Sequence, residues 1–241
     1  MSAPVRFLSW MFVAVCISVG CRRDRAQATA APEIRPELVT IPVSDGGTVC
    51  ADRYGRGSRG LVLAHGGRFD KESWAKQALA FARAGFEVLA IDFRGYGCSR
   101  GGRPNAEPLV DLDLDVLAAV RWLREQGATS VSIIGGSMGG GAAAEASTKL
   151  GPGELDRLIL LSPAAIEHPE KMTGRKLFVA NRDDLNASGS PRLAAIHDQF
   201  DRASEPKEFL LLEGSAHAQF IFESDAGDRL VQEILRFLTS P

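Results

Sequence analysis

The sequence predicts an α/β fold in which a mostly parallel central β-sheet carries helices on both faces. Short apolar segments rich in β-branched residues alternate with longer segments of helical periodicity. The apolar segments are continuous rather than alternating, as is typical of parallel strands that are buried on both faces. One of them, 131–134, passes through a glycine-rich turn directly into the helix-forming segment 141–146.

The predicted elements begin with a hairpin, because the apolar segments 38–43 and 48–51 flank Asp-Gly-Gly at 45–47, a turn sequence. In chain order the other predicted strands are 61–64, 86–91, 131–134, 158–161, 177–180 and 209–212. The predicted helices are 74–84, 108–126, the segment that follows residue 137, 191–202 and 228–238.

Length and composition predict one globular domain with a sizeable core. The chain has 241 residues, of which 45% are hydrophobic and 24% charged, and its formal net charge is −2. This charge gives no electrostatic signature of nucleic-acid binding. No cluster of cysteine and histidine has metal-ligand spacing, so we expect neither a metal nor another cofactor.

The first 21 residues have the pattern of an export signal. Arg6 precedes an uncharged, mostly apolar run that ends at Cys21, and two arginines follow. This resembles a bacterial lipoprotein signal whose cysteine is lipidated, although Ser18 stands where leucine is usual. Plain export and an uncleaved anchor are the alternatives. We expect residues 22–36 to be a flexible tether, residues 37–241 to be the folded domain, and the protein to touch a membrane only through its N-terminus in the cell envelope.

Two cysteines, Cys50 and Cys98, fall within the predicted domain. In an oxidising compartment they could pair, but two cysteines are too few to define a disulfide framework. We expect isolated thiols.

A Gly-x-Ser-x-Gly sequence at Gly135, Ser137 and Gly139 predicts a sharp turn between strand and helix. The glycines are needed because a β-carbon at either flank would collide within so tight a turn. The serine is then held in a strained conformation, with its hydroxyl exposed near the helix N-terminus. A phosphate-binding loop is the alternative, but no Gly-x-Gly-x-x-Gly or Gly-Lys-Ser/Thr register fits this segment.

Polar residues follow four of the predicted strands, at the edge of the sheet where ligands bind in such folds. The segments are His-Gly-Gly-Arg-Phe at 65–69, Asp-Phe-Arg-Gly-Tyr-Gly-Cys-Ser at 92–99, Asn-Arg-Asp-Asp at 181–184 and Glu-Gly-Ser-Ala-His at 213–217.

From about residue 37 to its end the chain resembles the α/β-hydrolase family. The resemblance rests on the turn around Ser137, the His-Gly-Gly loop, the Asp-x-Arg-Gly-x-Gly-x-Ser segment and the chain order of nucleophile, acid and histidine. Segment 162–176 is too short for a sizeable cap domain, so the resemblance implies an open cleft. The nearest branches are the dienelactone-hydrolase-like and serine-aminopeptidase-like ones.

The resemblance implies a role for each of three side chains. Ser137 would be the nucleophile and His217 its base. Asp184 would orient the imidazole, with the adjacent Asp183 as the alternative. The family usually has glycine where this chain has Asn181. The oxyanion hole would be the backbone N–H groups of Met138 and Gly67, with Arg68 as the alternative donor to Gly67.

Other polar residues receive structural interpretations. We expect His65 to stiffen the His-Gly-Gly loop that carries Gly67. We expect Asp92 and Arg94 to fix the neighbouring loop, and His168 and His197 to be surface or packing residues. Aspartates at 111, 113 and 115 resemble the start of a calcium loop, but the required glycine and glutamate are missing. We interpret them as acidic residues in the first turn of a helix.

Together these features predict an exported serine hydrolase that cleaves small-molecule acyl esters through an acyl-enzyme intermediate, most nearly a carboxylesterase. Two alternatives stay open at this point. One is a non-catalytic binding protein of the envelope with the same fold. The other is a peptidase or acyltransferase that uses the same three side chains.

Overall fold

The structure, a computed structural model, describes residue 1 and residues 33–102 and 110–240. Residues 2–21 of the predicted signal, including Cys21, and residues 22–32 of the predicted tether lie outside the described residues. Within the described residues, no helix combines the length and the hydropathy needed to cross a membrane.

Eight strands of the described chain form one sheet in the order β1-β2-β4-β3-β5-β6-β7-β8. The strands are β1 (Glu37–Pro42), β2 (Thr48–Tyr54), β3 (Arg59–Ala64), β4 (Phe86–Ile91), β5 (Ser130–Gly136), β6 (Arg157–Leu161), β7 (Arg175–Asn181) and β8 (Lys207–Leu212). β1 and β2 form the predicted antiparallel hairpin, β2 is antiparallel to β4, and every other neighbouring pair is parallel. The predicted mostly parallel sheet is therefore confirmed.

Five α-helices cover the two faces of the sheet in the described residues. They are α1 (Ala75–Arg83), α2 (Leu112–Glu125), α3 (Met138–Thr148), α4 (Leu193–Arg202) and α5 (Gly227–Thr239). α2, α3 and α4 enclose one hydrophobic core, and α1 and α5 enclose the other. Adjacent strand residues alternate between the cores: Ile133 of β5 points into the first and Ile134 into the second. Burial on both faces explains the continuous apolar strands.

The start of α2 differs from the prediction. We expected the helix to begin at 108, a position outside the described residues, but it begins at Leu112. Asp111 has a φ of 56°, in the left-handed region, so the helix cannot extend back through it. Asp113 and Asp115 lie in the first turn of α2, as expected for acidic residues near the positive end of a helix.

The expectation of isolated thiols is wrong, because Cys50 and Cys98 form a disulfide with a Cα–Cα distance of 5.8 Å. Arg100 pairs with Thr48 in an antiparallel bridge, which brings the segment after β4 back alongside β2. The backbone N–H of Cys50 also donates to the Ser99 hydroxyl at 2.8 Å. This pairing of distant segments places the two cysteines side by side. The sequence near either cysteine does not indicate the pairing.

Candidate active site

The turn between β5 and α3 has the strained geometry that its sequence predicts. Ser137 has a φ of 52° and a ψ of −115°, a combination that is rare for residues with a side chain. A β-carbon on Gly135 would lie 2.4 Å from the Gly139 carbonyl oxygen, and one on Gly139 would lie 2.4 Å from the Ala64 carbonyl oxygen. Glycine at both flanks is therefore required by backbone-to-backbone contact.

The structure brings Ser137, His217 and Asp184 together in one hydrogen-bonded chain. His217 Nε2 lies 2.8 Å from Ser137 Oγ, and His217 Nδ1 lies 2.7 Å from Asp184 Oδ2. Since an ionised carboxylate can only accept, the imidazole carries its proton on Nδ1 and leaves Nε2 free to accept from the serine hydroxyl. Residues that are 80 and 33 positions apart thus join a hydroxyl, an imidazole that can take its proton, and a carboxylate that orients the imidazole.

Burial separates the two candidate acids. Asp184 is 1% exposed, whereas the neighbouring Asp183 is exposed to solvent. Arg192 Nε lies 3.5 Å from the second oxygen of Asp184, so a cation stands near the carboxylate. Asn181, at the position where the family usually has glycine, donates from Nδ2 to the Ala216 carbonyl oxygen at 2.8 Å. This bond ties the end of β7 to the residue before His217.

The two expected oxyanion donors belong to neighbouring residues beside the serine. Met138 begins α3, and Gly67 belongs to residues 65–68, which we call the oxyanion loop. A β-carbon on Gly67 would lie 3.6 Å from Met138 Sδ, so the loop runs beside the turn. In the described part of the chain neither backbone N–H donates to a protein acceptor, and both are available to a ligand. The Arg68 N–H remains the alternative to that of Gly67.

His65 has the structural role expected of it. Its Nδ1 donates to the Gly66 carbonyl oxygen at 2.9 Å, and its Nε2 accepts the Phe93 backbone N–H at 3.2 Å. The ring also packs edge-on against Phe93 and Tyr96. Burial lowers the pKa of His65, which keeps the imidazole neutral and able to accept as well as donate.

Asp92 and Arg94 also fix the neighbouring loop as expected. Asp92 Oδ1 accepts the Lys71 backbone N–H at 2.8 Å. Arg94 binds the buried Asp115 of α2 through two nitrogens and reaches Asp45 with a third, at 2.8 Å. The carboxylates of Asp92, Asp115 and Asp45 therefore bind groups within the fold rather than Ser137.

The remaining histidines match their expected surface and packing roles. His168 is exposed and its Nδ1 lies 3.0 Å from Glu170 Oε1. The ring of His197 stacks on that of Phe209, with centroids 4.2 Å apart. In the segments that the structure describes, no group of three or more histidine, cysteine and acidic side chains is arranged to hold a metal ion.

A solvent-open cleft of about 460 Å³ adjoins Ser137, and sequence reasoning did not identify its walls. Asp113 and Glu145 are its charged members, and Lys149 lies 2.7 Å from Asp113. The other lining residues are apolar or glycine, namely Leu112, Met138, Gly141, Ala142, Ala164, Ala165 and Ile166. Helical spacing offered a signal for part of this set, because positions 141 and 145 follow Ser137 on one face of α3.

Comparisons with known proteins identify the family of the chain. The family model of serine aminopeptidase S33 hydrolases matches residues 57–223. A non-heme chloroperoxidase of Streptomyces lividans is 32% identical over 166 residues, which is 67% of this chain and 56% of that protein. An uncharacterized protein of Mycobacterium tuberculosis is 27% identical over 206 residues, covering 74% of this chain and 69% of that protein. The chain therefore spans little more than half the length of the chloroperoxidase that it matches.

Solved structures share the fold at low sequence identity. A CIB-like hydrolase of Thermoplasma acidophilum superposes with a TM-score of 0.69 at 23% identity, over 86% of this chain and 99% of that one. The esterase Pf2001 of Pyrococcus furiosus superposes with a TM-score of 0.70 at 16% identity, over 85% of this chain and 91% of that one. A dienelactone hydrolase of Anabaena variabilis superposes with a TM-score of 0.67 at 16% identity, over 85% of this chain and 97% of that one.

Proposed function

The chain belongs to the serine aminopeptidase S33 family of α/β hydrolases, and on that premise we propose that it is a serine hydrolase that cleaves acyl esters through an acyl-enzyme intermediate. One observation carries the proposal: the hydrogen-bonded chain of Ser137, His217 and Asp184 ends beside two backbone N–H groups that have no acceptor within the described residues. A nucleophile, a base, an orienting carboxylate and anion-binding donors are the parts that acyl transfer requires.

In the proposed acylation, Ser137 Oγ attacks the carbonyl carbon of the ester while its proton moves to His217 Nε2. The carbonyl electron pair moves onto oxygen, and the resulting oxyanion accepts hydrogen bonds from the N–H groups of Met138 and Gly67. When the carbonyl re-forms, the bond to the alcohol oxygen breaks and the leaving alcohol takes the proton from His217. Water then repeats these steps on the acyl-enzyme and releases the acid.

Asp184 supports both proton transfers. While His217 is protonated, the imidazolium lies 2.7 Å from a carboxylate that is shielded from water, so the attraction is stronger than it would be at the surface. In the neutral state the same bond keeps the proton on Nδ1. The Asp184 carboxylate therefore serves the base without contacting the substrate.

The cleft beside Ser137 favours small apolar acyl esters, because its walls are mostly short aliphatic side chains. β6 ends at Leu161 and β7 begins at Arg175, so the chain between them is too short for a lid domain. An amide substrate would pass through the same steps with an amine as leaving group. The family's description as serine aminopeptidases makes peptidase action the second candidate.

A fluorophosphonate probe followed by a substrate panel tests the proposal. We expect the probe to label Ser137, and 4-nitrophenyl esters of short acids to be hydrolysed faster than aminoacyl 4-nitroanilides. Ser137→Ala should abolish labelling and reduce ester turnover by at least about 10⁴, with an unchanged circular dichroism spectrum. Retention of more than about a tenth of the wild-type rate would contradict the nucleophile assignment, and faster cleavage of the anilides would make the protein a peptidase.

We also propose that the protein is exported and lipid-anchored at Cys21. The N-terminal sequence supports this, and so does the Cys50–Cys98 disulfide, because such bonds persist in oxidising compartments. The full-length protein expressed in a bacterium should incorporate labelled palmitate and partition into detergent, and Cys21→Ser should prevent both. A mature protein that starts after residue 21 and stays in the aqueous phase would contradict lipidation.

A further inference from the structure

We propose that Gln219 is a positioning residue that holds the oxyanion loop at its working distance from Ser137. This inference rests on the proposed function, because the loop matters to turnover only if Gly67 donates to an oxyanion. Gln219 lies two residues after His217, in a 3₁₀ helix of residues Ala218–Glu223. The same short segment thus carries the candidate base and a contact to the candidate oxyanion hole.

The contacts of Gln219 join two parts of the site that are far apart in sequence. Its Oε1 accepts the Gly66 backbone N–H at 2.7 Å, and its Nε2 donates to the Ser73 hydroxyl at 3.0 Å. The side chain is 5% exposed, so loss of the amide would leave the Gly66 N–H without a ready replacement acceptor.

The chemistry of its partners fixes the orientation of the amide. The Gly66 N–H can only donate, so it requires the amide oxygen. Ser73 donates its hydroxyl proton to the Asp70 carbonyl oxygen at 2.5 Å, which leaves its lone pairs to accept from Nε2. Reversing the amide would therefore break both bonds. The side-chain amide of Gln219 can therefore make both hydrogen bonds in only one orientation, which suits a residue that positions another group.

The oxyanion loop is held at three backbone groups that flank the Gly67 N–H, each by a different side chain. Gln219 binds the Gly66 N–H, the His65 ring donates to the Gly66 carbonyl oxygen, and the Tyr96 hydroxyl donates to the Gly67 carbonyl oxygen at 2.9 Å. The Gly66–Gly67 peptide is planar, so the direction of its C=O sets that of the Gly67 N–H. Of the three side chains, only that of Gln219 comes from the segment that carries the base.

The loop runs beside the turn that carries the serine, so a shift of the loop changes its distance from Ser137. A β-carbon on Gly66 would lie 3.4 Å from the Gly136 carbonyl oxygen and 3.5 Å from Ser137 Cβ, which are ordinary contact distances, so packing alone does not wedge the loop against the turn. Hydrogen bonds to an oxyanion weaken within tenths of an ångström of their best distance. Releasing one of the three anchors should therefore lower turnover more than substrate binding.

Two substitutions at Gln219 separate positioning from mere packing. Gln219→Met keeps the length and loses both hydrogen bonds. Gln219→Glu keeps an acceptor for the Gly66 N–H but places a negative charge beside the developing oxyanion. Ser73→Ala, at an exposed residue, keeps the Gly66 bond and frees the other end of the amide. Gln77→Met in α1 is the matched control, because Gln77 is also buried and lies outside the site.

The experiment measures kcat and KM for 4-nitrophenyl acetate, the melting temperature, and the inhibition constant of a trifluoromethyl ketone, which binds serine hydrolases as an oxyanion. For Gln219→Met we expect kcat to fall about 10- to 100-fold, the inhibition constant to rise by a similar factor, and KM to change less than about threefold. Gln219→Glu should be slower still, and Ser73→Ala should lose a few-fold in kcat. Gln77→Met should keep kcat and the inhibition constant within about twofold.

The outcomes distinguish this inference from the function on which it rests. A folded Gln219→Met variant with wild-type kcat and inhibition constant would overturn the positioning role alone. A fall in kcat without any weakening of the ketone would also overturn it, because the oxyanion hole would then be intact. A wild-type protein that neither hydrolyses esters nor labels at Ser137 would overturn both proposals. If Gln219→Met does not fold, Ser73→Ala decides, because it frees one end of the amide, and a wild-type kcat and inhibition constant in that variant would overturn the positioning role.

Discussion

The two sides of Ser137 are built in opposite ways. On one side the oxyanion loop is held at three backbone groups by buried or packed polar side chains. On the other side the cleft is walled mainly by small aliphatic residues, and Ala164 and Ala165 are exposed. The first side resists movement because each anchor is a side-chain hydrogen bond of fixed geometry, whereas most side chains that face the cleft are apolar and cannot make such bonds.

This difference predicts which property of the enzyme a substitution on each side should change. Groups that stabilise a transition state must be fixed before the reaction, because any reorganisation adds to the barrier. A wall that only contacts the apolar part of a substrate can vary at little cost to the chemistry. We therefore expect changes on the anchored side to lower turnover, and changes in the cleft to alter which ester is preferred.

The largest expected effect comes from a third part of the site, the carboxylate that contacts His217. Asp184→Asn should reduce kcat by about 10⁴, because an amide facing Nδ1 favours the wrong tautomer and cannot stabilise the imidazolium. Asp183→Asn is the matched control, since Asp183 is exposed, and its kcat should stay within about threefold of wild type. Steady-state kinetics on one ester decides between them. Greater damage in the Asp183 variant would transfer the role to that residue.

The mostly parallel sheet and the position of this site could be predicted because they follow from pattern. Continuous apolar segments indicate parallel strands, and parallel strands bring their carboxyl ends to one edge of the sheet. Residues 137, 184 and 217 follow β5, β7 and β8, so their meeting at that edge needs no knowledge of side-chain packing.

An intermediate effect is expected in the cleft. Ala165→Leu should shorten the space for the substrate, so that kcat/KM for a 4-nitrophenyl hexanoate falls about 10-fold relative to wild type. The acetate ester is the internal control and should change less than about twofold, because its acyl group does not reach the wall. An unchanged chain-length profile would mean that the apolar part of the substrate lies elsewhere.

Other features could not be predicted because they depend on pairings between distant segments. The disulfide requires the bridge between Thr48 and Arg100, and nothing near either cysteine indicates it. Gln219 contacts groups 153 and 146 residues away, and a lone glutamine after a histidine has no recognisable motif. The walls of the cleft likewise combine α2, α3 and the segment after β6.

The smallest expected effect concerns pH and the anchored side. Burial lowers the pKa of His65 below its ordinary value of 6.5, so below that pH the unfolded chain takes up a proton that the folded protein does not. The stability that depends on neutral His65 is therefore complete above pH 6.5 and declines as the pH falls. Urea unfolding at pH 7 and pH 5 should show a smaller difference for His65→Gln than for wild type.

Exposed His168 provides the control for that measurement, and His168→Gln should keep the wild-type difference between the two pH values. The His65 variant should also be less stable at both pH values, because the imidazole bonds to Gly66 and Phe93 are lost. An equal pH difference in all three proteins would show that proton uptake at His65 does not affect folding.

The backbone conformation at Ser137 lowers the stability of the fold, and the proposed turnover depends on it. A residue with a side chain loses about 1–3 kcal/mol in such a conformation, and glycine would relieve most of that cost. Glycine has no hydroxyl, so the substitution that most favours folding at this position is one that leaves no nucleophile. Under the proposed function, selection for a more stable protein therefore cannot relieve the strain at this position. Compensation must come from remote parts of the fold, such as the crosslink between Cys50 and Cys98.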